Sequence, residues 1–526
     1  MFTGCGSDKG SSSAKSTSAA SAANDTVDED GKVNGIMYQE GLPLVDEGAY
    51  TFSIFCDDSS ESGEFIMLDE FKKQTNVDVD LKIYPYETAT ERLNLDLNSG
   101  DYADVIGGWT LSDNAILTYG VNQGVFIPLE DYFEKYCPNI SAILDLPGVR
   151  EKMTAPDGHI YTIPYVCADS TVGYSPYINT KWLENVGMSM PTTTDEFEAV
   201  LKAFKEQDAN GNGDASDEIP FSTDPNNKHI EAMAGYFGLP MNKLGIAIQN
   251  EKVVYGGVSD TYREFLSWFH KLYAEGLVDV ELYTQDSSTW EGKGNQDLYG
   301  VSIAYGSNEF TGIPAAEERG DFDSMPVLNT DKDGIWLRDT EGFSVYRTQA
   351  VITNKAEHPE IICRWFDNAF ALENGIGCNR GPVGVIVNKE DDGYHAIDTT
   401  TLSEEDQEKY SWGNLWPQSL PKYLPADFEF VEEHPMYDEK KATEEAYEAN
   451  LTKEIIPSYW IDLDKIDTFS DTNTAIKDFF EQQQAQFVCG ELDIDNDADW
   501  QAYVDGMYSL GLEDWVATQG IEEIAK

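Results

Sequence analysis

Long apolar runs are missing from this 526-residue sequence: no stretch approaches the roughly 18 apolar residues that carry a helix across a bilayer. Basic residues are scarce, 35 Lys and Arg against 96 Asp and Glu, a formal charge of −61. Such a field repels nucleic acid and anionic lipid and makes both poor partners. Cysteines are few and stand singly, with no CxxC and no metal-finger spacing among the seven. The six histidines form no HExxH, and no GxSxG elbow, phosphate-binding loop or GxGxxG occurs. The enzymes those motifs mark are therefore not indicated. Glycoside hydrolysis needs only two well-placed carboxylates, and with 96 acids the sequence cannot test for them.

What is present suits a globular protein of two lobes, being too long for one ordinary core and 41% hydrophobic with 12% aromatics. Thr51 to Cys56 reads as a buried strand, followed by a helix with Phe65, Leu68 and Phe71 on one face. Val77, Val79, Leu81 and Ile83 alternate with polar residues, a period-two strand. A helix over about 89–98 and a short strand at 103–106 complete a strand–helix alternation that predicts a parallel α/β sheet. Further on, Thr193-Thr194-Asp195-Glu196 forms a capping box ahead of Phe197, Val200, Leu201 and Phe204 at helical spacing.

The amino terminus carries Gly4-Cys5-Gly6 and then a run of Ser, Ala, Gly, Lys and Asp. This resembles the end of a bacterial lipoprotein signal, which makes Cys5 the expected lipidation site and 1–35 a signal remnant and tether. Several later stretches, in order, resemble the extracellular solute-binding proteins, family 1, of ABC sugar importers. They are Gly158-His159-Ile160-Tyr161-Thr162-Ile163-Pro164-Tyr165, Tyr177 to Leu183, Met190 to Phe197, Val351 to Phe370, and the closing run from Phe487 to Leu512. The long, lipoprotein-type members that bind alginate and other oligosaccharides are the nearest in pattern.

The resemblance implies a two-lobed periplasmic-binding-protein-like fold (type II), each lobe a mostly parallel sheet flanked by helices and discontinuous in sequence. It places the first lobe at 45–165 and 308–375 and the second at 166–307 and 376–515. It also implies a monomeric lipoprotein on the extracellular face of the membrane of a bacterium, of Gram-positive type. Such a protein captures an oligosaccharide for ABC permease subunits and catalyses nothing. A secreted carbohydrate-active enzyme, or the same fold binding peptides, are the rival readings.

Oxygen-bearing side chains fall at positions 1, 3 and 5 of the run from Asp208 through Asn210 and Asn212, with Gly213 at position 6. A hard Ca²⁺ ion takes six to eight oxygens, and this alternation starts a calcium loop. Position 12 is Ile219, so the bidentate Glu of an EF-hand is absent. The expected ligands are Asp208, Asn210, Asn212, Asp214, Asp217 and Glu218, around a structural Ca²⁺. Sugars need aromatic faces for their apolar ring faces and polar groups for their rims. Loops at strand ends in open α/β sheets supply such positions. On that basis the candidate ligand contacts are Asp57, Asp58, Trp109, Tyr305, Trp336, Arg380, Trp412 and Trp416.

Overall fold

The computed structural model describes residues 25–525 apart from 59–63, 226–228, 313–320, 426–427, 429, 432–434 and 522. Cys5 and the tether lie outside the described residues. The strands that carry the architecture are β1 (Tyr50–Asp57), β2 (Val77–Tyr84), β3 (Val105–Gly107), β4 (Thr162–Ala168), β5 (Ser175–Asn179) and β6 (Ile219–Thr223). They continue with β7 (Tyr299–Ala304), β8 (Phe322–Ser324), β9 (Trp336–Arg338), β10 (Phe343–Ile352) and β11 (Leu451–Ile455).

They form two α/β lobes. The first sheet has the order β2-β1-β3-β10-β4, the second β8-β5-β7-β6. In the first, β1 pairs parallel with β2 along its whole length and with β3, whereas β10 runs antiparallel to both β3 and β4. In the second, β7 is parallel to β6 and antiparallel to β5. Both sheets are thus mixed rather than mostly parallel, because each takes in a strand that arrives by crossing from the other lobe.

Helix α1 (Ile66–Thr75) buries Met67 and Phe71 against the first sheet. There Phe71, Trp365 and Trp416 pack ring to ring with centroids 5.0 to 5.7 Å apart. Helix α2 (Thr194–Glu206) buries Phe197, Val200, Leu201 and Phe204 against the second, each worth about 1.5–3 kcal/mol by area. Its cap differs from a simple box. The Thr193 hydroxyl accepts from the Glu196 N–H, but the Glu196 carboxylate reaches back to the N–H and hydroxyl of Thr192.

The expected lobe boundaries need correction. Residues 322–338 do not join the first lobe: β8 pairs with β5, and Met325, Leu328 and Trp336 lie in the second core. Conversely, Cys378, Trp416 and Leu420 belong to the first core, and Ile461 and Ile466 also pack there, beside Phe55 and Ile106. Sequence order misleads here because long irregular segments fill whichever apolar face is uncovered. The chain leaves the first sheet after Ala168 and returns before Phe343. The two connections lie side by side, the Asp169 N–H donating to Gly342 O and the Asp339 N–H to Thr171 O.

Candidate functional site

Parallel strands β1 and β3 end at Asp57 and Gly107, and open α/β sheets bind ligands at the carboxyl ends of their strands. Asp57 is fully buried and accepts from the Trp109 N–H at 3.0 Å and the Thr110 N–H at 2.6 Å. Burial pushes its carboxyl above the ordinary value, against the pull of those two donors. A Cβ at Gly108, whose φ is +134°, would fall 2.2 to 2.6 Å from that carboxylate. Glycine is therefore required for the loop to close on Asp57. Asp57 holds the backbone beneath Trp109, and Trp109 itself is 46% exposed. Asp58 is likewise buried and accepts from the Gln418 N–H at 2.7 Å, so both aspartates organise loops.

From Trp109 a line of rings runs across the molecule. Trp109 meets Tyr346 edge-on at 5.1 Å, and Tyr346 stacks on Tyr165 at 5.6 Å, the two being directly opposed in the β10–β4 register. Beyond Tyr165 lies the Lys422 ammonium, 5.2 Å from its centroid and 5.8 Å from that of Trp412, which is 56% exposed. In the other direction the line passes through Asp169. Its Oδ2 accepts from the hydroxyls of Ser344 at 2.5 Å and Tyr346 at 3.2 Å, and its Oδ1 from Tyr305 at 3.2 Å. Tyr305 then meets Tyr174 edge-on, and Tyr174 stacks on His229 with centroids 4.0 Å apart. Burial, with Lys243 adding to it, lowers the His229 ring to about 4, so it is a neutral donor or acceptor. Its Nε2 has no hydrogen-bond partner among the described residues.

A cavity of about 420 Å³ opens along this line, walled by Tyr346 from the first sheet and by Asp169, Tyr174, His229, Asn242 and Tyr305. The walls are aromatic with a few convergent polar groups, the composition that saccharide sites require. Lys440 supports it from below. Its ammonium donates to the carbonyls of Gly173 and Tyr305 and sits 4.0 Å from the Tyr305 centroid. Burial lowers this ammonium to about 8.

Of the expected contacts, Trp109, Tyr305 and Trp412 fall on this line. Arg380 is half-buried beside Tyr165 and Cys167, its charge disfavoured chiefly by burial. Trp416 does not take part, being fully buried and stacked on Trp365. Trp336 borders the cavity but is a core residue, 1% exposed and packed on Tyr236 and Tyr447. Tyr165, Asp169, Tyr174, His229, Tyr346 and Lys422 escaped sequence reading. A signal existed for one pair: Ser344 and Tyr346 alternate with apolar residues, which places them on one face of β10.

The 208–218 loop lies between α2 and β6, away from the cavity. Asp208, Asn210, Asn212 and Asp214 each accept a backbone N–H further along the loop, and Gly213 has φ +96°. Asp217 turns inward, accepting from the side-chain amides of Asn210 at 3.2 Å and Asn212 at 2.7 Å, while Ser216 binds only Asp214. Asp208 Oδ1 and Glu218 Oε2 are buried without hydrogen-bond partners among the described residues. Two orphaned carboxylate oxygens at the ends of an oxygen-lined loop fit a hard divalent cation. The Asp214 carboxylate accepts from the Ser216 hydroxyl, and at this position 7 such loops use the backbone carbonyl.

The family of bacterial extracellular solute-binding proteins matches residues 61–375. The fructooligosaccharide ABC transporter substrate-binding protein FusA of Streptococcus pneumoniae serotype 4 is 32% identical over 379 residues, covering 70% of this chain and 68% of its own. Lipoprotein LipO of Bacillus subtilis is 28% identical over 280 residues, covering 51% and 52%. The solved structure of an EF-hand mutant of S. pneumoniae FusA with fructo-nystose superposes with a TM-score of 0.76 at 27% identity, covering 89% of this chain and 98% of that one.

Proposed function

Because the chain belongs to the bacterial extracellular solute-binding proteins, we propose that it captures an oligosaccharide between its lobes and delivers it to the permease of an ABC importer. The observation that carries this reading is the line of rings from Trp412 through Tyr165 and Tyr346, with Trp109 beside it, to Tyr305, Tyr174 and His229. It draws on both lobes and is broken only by polar groups, Lys422 and Asp169. Stacking faces alternating with hydroxyl acceptors suit a chain of sugar rings. FusA is named for such a cargo, which supports the class of ligand.

In this reading the first lobe comprises the described residues of about 25–168, 343–431 and 461–466, and the second the remaining described segments. The paired connections at 169–174 and 339–342 act as the hinge. Cys5 carries the lipid that holds a monomer at the outer face of the membrane of a Gram-positive bacterium, and the tether gives it reach. The name of the LipO relative agrees with an anchored protein. The 208–218 loop holds a structural Ca²⁺ through Asp208, Asn210, Asn212, Asp217 and Glu218, all from one loop, so the ion serves stability. The EF-hand of the FusA structure supports this assignment.

Calorimetry against neutral and acidic oligosaccharides, with chromatography of the sugars afterwards, tests the function. Saturable binding with the sugar recovered intact supports it. Shortened products would establish a hydrolase, and binding of peptides alone would change the cargo.

A further inference from the structure

Lys422 is out of keeping with the other cations of this acidic chain. Most described lysines lie on the surface beside a carboxylate, as Lys202 does beside Glu198 and Glu275. Lys422 is 1% exposed and makes no ion pair among the described residues. An ammonium has three donors. Its one hydrogen-bond acceptor among the described residues is Gln418 Oε1 at 2.9 Å. The rings of Tyr165 and Trp412 offer it faces but no lone pairs. Asp58 lies close enough to favour the charge, yet its Oδ2 is held by the Gln418 N–H. Arg380 adds a second positive charge from α3 (Leu372–Arg380), against Lys422 rather than for it. Burying an under-paired ammonium beside another cation costs several kcal/mol unless something else offsets it.

We propose that Lys422 is the recognition group for an anionic substituent of the bound saccharide, a carboxylate of a uronic acid residue, with Trp412 stacking on the ring that carries it. The proposal rests on the oligosaccharide reading above and names the kind of sugar. A carboxylate would satisfy the two spare donors and bring the opposite charge that the surroundings lack. Trp412, 56% exposed with its ring centroid 5.8 Å from the ammonium, offers a face for the sugar ring that carries the carboxylate.

The groups facing Lys422 are Asp58 just after β1, Tyr165 and Cys167 on β4, and Cys378 and Arg380 on α3. Burial pushes the Cys167 thiol up to about 11 and raises Cys378 and Tyr165 further, while the ammonium itself is lowered to about 8. Lys422 is thus the group of this set whose charge changes around pH 8.

The test is calorimetry of the full chain with uronate-bearing oligosaccharides, each beside its neutral methyl ester of the same length, for wild type and Lys422→Met. The expected result is at least a tenfold preference for the acid in wild type, lost in Lys422→Met with ester binding retained. If that variant fails to fold, the wild-type pH profile decides: acid affinity falls as pH rises through about 8 and ester affinity does not. Equal binding of acid and ester, or a preference that survives both the substitution and pH 9.5, overturns the inference while leaving oligosaccharide capture standing. Binding of no saccharide of either kind overturns both.

Discussion

The hydroxyl of Tyr346 lies 3.2 Å from Asp169 Oδ2, joining a strand of the first sheet to the segment that leads into the second. The other oxygen of the same carboxylate accepts from Tyr305 of the second lobe. One carboxylate therefore ties together the two halves of the aromatic line. In Asp169→Asn one of these hydroxyls loses its acceptor, and hydrogen bonds to charged groups contribute about 1.5–3 kcal/mol to stability. The melting temperature should fall by a few degrees, and saccharide affinity should fall about tenfold by calorimetry at a temperature where the variant is fully folded.

Trp412 and Trp416 stand four residues apart and should respond oppositely. Trp416→Ala removes a ring stacked on Trp365 in the first core and should destabilise by about 3–5 kcal/mol, read by denaturant unfolding. Trp412→Ala removes a half-exposed ring and should leave stability within about 0.5 kcal/mol while weakening saccharide binding several-fold. A large stability loss in Trp412→Ala would contradict its assignment to the ligand surface.

If the 208–218 loop holds calcium as proposed, chelation should lower the melting temperature and added calcium should restore it, because a ligand of the folded state alone stabilises that state. Asp208→Asn removes one of the orphaned carboxylates and should abolish the calcium-dependent shift. Elemental analysis finding no calcium in the purified protein, together with an unchanged melting curve, would remove the metal from the account.

Glu309 predicts a pH dependence. Burial, reinforced by Asp224 and Glu291 and opposed by Lys440 and the Tyr305 N–H, raises its carboxyl to about 7 from an ordinary 4.5. A raised acid favours folding fully below its unfolded value, and that contribution is lost as pH climbs through the folded one. Glu309→Gln keeps an acceptor for the Tyr305 N–H but cannot ionise. It should match wild type near pH 4 and melt higher than wild type near pH 8.

The alternation in Val77–Tyr84, the apolar stripe of α2 and the oxygen spacing of 208–218 could be read directly, because each is a local pattern. The aromatic line could not. Tyr165 meets Tyr346 across 181 residues of sequence only because β4 and β10 pair in that register. Trp416 misled for the converse reason: flanked by Gly413 and Pro417, it sits in a segment without regular structure, yet it fills a gap beside Phe71 that no helix covers. Local pattern predicts which face of an element is apolar. Which distant segment covers that face is decided by the chain's returns.

Two of the segments that pass between the lobes donate to one another, Asp169 to Gly342 and Asp339 to Thr171. Laced in this way, they cannot twist independently, as two separate threads could. Sliding one half past the other would have to break those rungs, whereas bending across them need not. In the proposed closure the ladder therefore favours a clamshell swing over sideways shear, which would bring the same line of rings together at each closing.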